Sequence, residues 1–164
     1  MKKYNFIFFL TAAVVIILDQ ASKFLISGYI SYYESIPVID GFLNLVHVGN
    51  RGMAFGLMNR PDAGFSFYFL IATTIIAILL ILIWFTKTKN EDRRLLFGLS
   101  LILGGAVGNL IDRIRLKEVI DFLDVYIGSH HWPAFNVADS AITIGTFLIA
   151  IILFFSSANP EEIK

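Results

Sequence analysis

The sequence predicts an all-α membrane protein: four transmembrane helices with a small β-rich segment on the extracytoplasmic side. Three observations predict it. Hydrophobic residues make up 57% of the 164 and charged residues only 16%, against roughly 45–50% and about 25% in soluble domains. Mean hydropathy is +0.74. The 13 basic and 13 acidic side chains are distributed so that long runs carry none. This composition excludes disorder, because such a chain cannot stay solvated. The absence of cysteine excludes disulfides, thiolate metal sites and a cysteine nucleophile. A net charge of zero gives no global field to attract nucleic acid.

A helix needs about 20 apolar residues to cross the hydrocarbon of a bilayer. The first span is expected at about 5–27. Tyr4–Leu18 is apolar, and full length is reached only if Asp19 and Lys23 lie within the helix or at its edge. The start, with Lys2 and Lys3 before an apolar run, also resembles a secretory signal peptide. The run meets Asp19-Gln20 rather than a small-residue cleavage site, so an uncleaved span is expected. The stretch over about 34–58 reads as short strands and turns. Leu43, Leu45 and His47 alternate there with Asn44, Val46 and Val48, and Gly41, Gly49, Gly52 and Gly56 punctuate it. Ala63–Thr86 and Ser140–Pro160 carry no charge and predict spans at about 65–86 and 139–157. Leu95–Ile111, bracketed by Arg94 and Asp112, predicts a span at about 95–112. The whole chain is expected to form a single integral membrane domain.

Lys and Arg in the short flanks orient the spans. The segment KTKNEDRR at 87–94 is densely basic. It places that loop and both termini in the cytoplasm, and the connections at about 28–64 and 113–138 outside.

Acidic residues gather toward the outer ends of the spans. Asp19 stands four residues before Lys23, on one helix face. A charge at mid-membrane costs at least about 2.5–3.5 kcal/mol. The pair is therefore either self-neutralising, with Lys23 snorkelling to the surface, or turned toward an enclosed polar site. GGAVGNLIDR places Asn109 and Asp112 on a shared face, and a second N-x-x-D follows as Asn136 to Asp139. Asp121 and Asp124 lie between. Taken singly each Asp reads as a cap or a solvated charge, and Asp139 as a cap of the fourth helix. As a set they suit a carboxylate pair that shares one proton and activates water without metal or covalent intermediate. The pair is not identifiable from composition among Asp19, Asp40, Asp112, Asp121, Asp124 and Asp139. A small four-helix transporter or channel using Asp19 and Lys23 is the alternative of a different class. A zinc hydrolase built on His47, His130 and His131 is another, though H-E-x-x-H is absent.

Five blocks in order, DQASK, GNRGMAFG, GGAVGNLIDR, VIDF and FNVADS, make the chain resemble the lipoprotein signal peptidases, the bacterial signal peptidase II family of membrane aspartic proteases. The resemblance covers nearly the whole length. It implies cleavage of diacylglyceryl-modified prolipoproteins on the amino side of the lipidated cysteine, at the outer face of the cytoplasmic (inner) membrane. It implies Asp121 and Asp139 as the catalytic dyad. Asp19, Lys23, Asn50, Gly52, Asn109, Arg113 and Asn136 are implied in support, and Asp112 is expected to position Arg113 through a local pair. Its partners would be lipidated prolipoproteins and membrane lipid. No cofactor, metal or nucleic acid is expected, and a monomer is. Two positions depart from or are not assumed typical of the family pattern: Met53, where a small residue usually precedes Ala54-Phe55, and Arg51.

Overall fold

A computed structural model describes residues 3–52, 64–88 and 93–158. In chain order these form α1 (Lys3–Tyr29), β1 (Ser35–Ile39), β2 (Leu43–Asn50), α2 (Gly64–Thr88), α3 (Arg93–Leu116), β3 (Val119–Ile127), β4 (His130–His131) and α4 (Val137–Ala158). All four helices are long and apolar enough to cross a membrane.

Each helix outruns its charge-free stretch. α1 continues through Asp19 and Lys23, α3 takes in Arg93 and Arg94 at one end and Asp112 to Arg115 at the other, and α4 starts at Val137. Charges within a membrane helix are tolerated where they face the protein interior and pair, or where they reach the interface. The 24 residues of α3 rise about 36 Å, so its charged ends reach past about 30 Å of hydrocarbon.

α3 is the centre of the bundle. Of its apolar stretch 67% lies inside the protein, against 28%, 17% and 22% for α1, α2 and α4. Lipid supplies no hydrophobic drive between helices, so close backbone approach carries the packing. Glycines make that approach possible. A Cβ on Gly105 would collide with the Ala138 carbonyl oxygen of α4, and one on Gly108 would lie 2.6 Å from Asp19 Oδ2 of α1. At the basic-loop end the core is apolar, with Phe8 stacked on Phe85 at 4.0 Å above Leu95, Leu99 and Leu103. Phe24, Phe65, Phe147 and Phe154 point outward, where lipid replaces water as solvent.

The strands form one antiparallel sheet in the order β1-β2-β3-β4, at the end of the bundle away from the 87–94 loop. Ile26 of α1 and Ile30 just past its end pack against Ile120 and Phe122 of β3 and seat the sheet on the helices. The sequence pattern foretold β1 and β2; residues 53–58 of that segment lie outside the described residues, Met53 included. It did not foretell β3, which is buried on both faces over Val119–Phe122 and so shows no alternation. The two outer connections are thus partners in one sheet.

Candidate active site

α1 and α3 meet across a buried ionic network. Asp19 is 0% exposed and Lys23 2%. Lys23 Nζ donates to Asp19 Oδ2 at 2.9 Å and Asn109 Oδ1 at 3.0 Å, and forms an ion pair with Asp112 Oδ2 at 2.7 Å. Lys23 therefore does not snorkel. Gln20 Nε2 adds bonds to Asp112 Oδ1 at 2.9 Å and Asp19 Oδ2 at 3.2 Å. The other oxygen of Asp19 accepts from the Ala138 N–H at 3.0 Å, one of the donors that a helix start leaves free.

The expected local pair of Asp112 with Arg113 does not form. Consecutive residues on a helix point apart, and Asp112 turns to Lys23, Gln20 and the Ile120 N–H. Arg113 follows a separate course, with Nη1 3.5 Å from the Asn109 carbonyl and its guanidinium on the pocket described below.

Asp121 and Asp139 are 18 positions apart in sequence, and a hairpin brings them together. β3 leads away from Asp121 and reverses at Gly128, whose φ of +60° suits a glycine in a two-residue turn. β4 returns alongside, and Phe135 bonds back to Leu123 in both directions. That docking delivers Asn136 to Asp121, with Nδ2 2.7 Å from Asp121 Oδ1. Asn136 is also the N-cap of α4: its Oδ1 accepts the Asp139 N–H at 2.9 Å, three residues on, as caps do. Asp139 is therefore not the cap. It sits in the first turn of α4 with its carboxylate free for other work, and Asn109 Nδ2 donates to its Oδ1 at 2.8 Å.

The far side of Asp121 is held by β2. Val48 lies opposite Asp121 in the β2–β3 register, and Asn50, two residues on, shares that face. Asn50 Nδ2 reaches Asp121 Oδ2 at 3.1 Å, while its Oδ1 accepts the Gly52 N–H at 2.9 Å. Both carboxylates line a cavity of about 780 Å³. Its walls come from the ends of β2 and β3, the 132–135 return, and Ser140, Thr143 and Ile144 of α4. Burial, then the negative charge of Asp139, pushes the Asp121 carboxyl up to about 7, against the opposing pull of the Asn50 and Asn136 amides and of Lys23.

Every site residue that the family resemblance implied falls on this cavity or on the network beneath it. Asp124 does not: it bonds His131 at 2.8 Å and Asn44 at 2.9 Å within the sheet. Gln20 was missed, although a polar amide in an apolar span beside Asp19 is a signal of the same kind. Ser140, Thr143 and Tyr33 were missed as pocket residues, because nothing in their spacing marks them.

Fold and site together define a polytopic membrane protein that holds a carboxylate pair, steadied by three asparagine amides, at a pocket between sheet and bundle. Over residues 11–155 the chain matches the family model for signal peptidase (SPase) II, and it belongs to that family. It is 47% identical over 151 residues to a lipoprotein signal peptidase of Syntrophus aciditrophicus, covering 92% of this chain and 94% of that one. It is 49% identical over 149 residues to one of Desulforapulum autotrophicum, covering 90% and 91%. A solved bacterial membrane enzyme superposes with a TM-score of 0.83 at 35% identity, covering 94% of this chain and 92% of that one. The chain is thus a protease and a multi-pass protein of the bacterial inner membrane.

Proposed function

We propose that the chain works as one integral membrane domain, an aspartic endopeptidase with Asp121 and Asp139 as its catalytic pair. Its substrates are prolipoproteins carrying a diacylglyceryl-modified cysteine, cut on the amino side of that cysteine. The observation that carries this reading is the pair itself: two carboxylates on one pocket, each bonded to asparagine amides, one raising the proton affinity of the other. Two such groups share a proton, so one serves as base and the other as acid. Water held between them attacks the scissile carbonyl, and the protonated carboxyl returns a proton to the leaving amine. Lys23 and Asn109 fix the pair from below, and Arg113 offers a cation on the pocket for a carbonyl or a lipid phosphate. The chain needs no cofactor for these steps and acts as a monomer.

The pocket opens at the end of the bundle opposite the basic 87–94 loop. By the positive-inside bias that end faces outward, where a lipid-anchored substrate presents its junction, and both termini are cytoplasmic. The transporter alternative loses its motive, because Asp19 and Lys23 neutralise each other within a closed network.

The test is cleavage by the purified chain in bicelles. The expected product begins at the lipidated cysteine by mass spectrometry, an unlipidated precursor stays intact, and excess chelator changes nothing. Equal cleavage of the unlipidated precursor, or a cut elsewhere, would overturn the reading.

The pH dependence follows from Asp121. A carboxyl raised to about 7 keeps its proton up to that pH; above it the pair loses the shared proton and with it the acid. kcat/KM is expected to fall as pH rises through about 7. The Asn50 amide favours the ionised form of Asp121, so Asn50→Ala should move that falling limb to higher pH. A limb that moves down instead would show that Asn50 does not act on this proton.

A further inference from the structure

We propose that Tyr33 is a substrate-contacting residue that grips the extended peptide flanking the scissile bond; this inference rests on the protease reading above. Tyr33 lines the pocket with its side chain exposed, at 76%. Its backbone is the unusual part. Ser31 to Glu34 closes a turn through the Glu34 N–H and the Ser31 carbonyl at 3.0 Å, and Tyr33, third in that turn, has φ of +67°. Turns with positive φ at that position favour Gly or Asn, and a bulky residue there is strained.

Strain of this kind persists only where the surroundings over-determine it, and here they do. The Tyr33 N–H donates to the His47 carbonyl of β2 at 2.8 Å. Glu34 Oε2 accepts the Ser31 N–H at 2.9 Å. The Tyr32 ring meets the Tyr33 ring edge-on at 4.5 Å and the His47 ring at 5.0 Å. Its hydroxyl donates to Glu118 at 3.1 Å, and Glu118 also holds Arg51 Nε at 3.0 Å. Gly49 makes room for this brace, since a Cβ there would collide with the Tyr32 hydroxyl and the Glu118 carboxyl. One clamp thus ties the turn to β2 and to the root of β3, and keeps Tyr33 on the cavity wall.

The position selects the ligand. Tyr33 lies beyond the end of α1, on the sheet side of the pocket with Val48, Gly49 and Asn50. Acyl chains belong at the depth of the hydrocarbon, where the pocket wall is Thr143 and Ile144 of α4. What passes the sheet side is the polypeptide leaving the membrane. A tyrosine ring offers it a large, rigid, amphipathic face at low entropic cost.

The experiment is steady-state cleavage of a lipidated prolipoprotein in bicelles by wild type, Tyr33→Asn and Tyr33→Phe, with thermal unfolding of each. Asn suits positive φ, so Tyr33→Asn should unfold no earlier than wild type, while KM rises about threefold to tenfold, the size of one aromatic contact, at unchanged kcat. Tyr33→Phe should keep wild-type KM. An unchanged KM in Tyr33→Asn, or a lowered kcat at unchanged KM, overturns the contact; earlier unfolding overturns the strained brace. Wild-type cleavage that Asp139→Asn abolishes reports on the protease reading alone, so the two fail separately.

Discussion

Asparagine in place of Asp121 or Asp139 is expected to lower kcat on a lipidated prolipoprotein by about 10²–10⁴-fold, the range of a lost general acid or base. The change is nearly isosteric, so the folded state should survive. It should survive most easily at Asp139, where the Asn109 amide needs only the acceptor oxygen at Oδ1. At Asp121 both oxygens accept amide donors, and one of them would face an NH₂ group instead. Because the pair acts as a unit, the double variant should be no worse than the poorer single one. Turnover within a few-fold of wild type in either single variant, with the protein folded by thermal melting, would remove that residue from the pair.

The second large effect concerns stability. Lys23→Met is expected to destabilise the chain by about 3–5 kcal/mol, the cost of leaving buried charges without their partner. Asp19 and Asp112 would face each other at the α1–α3 contact with no cation between them. Activity should fall as well, because Asn109 Oδ1 loses the ammonium that fixes which end of its amide meets Asp139. Combining Lys23→Met with Asp19→Asn and Asp112→Asn should recover much of the lost stability, since neutral groups are cheaper to bury. If Lys23→Met alone unfolds like wild type in detergent, the network contributes nothing to stability. Asp19→Asn should be milder than Lys23→Met, because one oxygen can still cap α4 through the Ala138 N–H and Lys23 keeps Asp112.

Much of this was legible in the sequence for physical reasons that also mark its limits. Water and lipid sort charges, so charge-free runs exposed the four spans; but sorting ignores charges that are paired, and the helices consequently run on through Asp19, Lys23 and Asp112. Period-two alternation exposed β2, which has one face on the site. β3 hides because it is covered on both faces at its start. The shared face of Asn109 and Asp112 was readable from their spacing, and both reach Lys23. Their partner was not readable, because proximity in sequence suggested Arg113 and helical geometry forbids it. Taken singly, Asp139 also reads as the cap of α4; Asn136, three residues earlier, takes that place.

Asn136 also sets an order of events in biosynthesis. The side chain that starts α4 is the one that holds Asp121, and the Asp19 carboxylate of the first helix waits for an N–H 119 residues later in the chain. A nascent chain that has inserted three spans therefore has no assembled site; only delivery of the last helix completes it. Earlier still, before α3 has emerged, α1 is already in the bilayer with two charges. Their spacing resolves the difficulty: Asp19 and Lys23, one turn apart, enter as a neutral couple, and exchange that local pairing for the full network when α3 arrives.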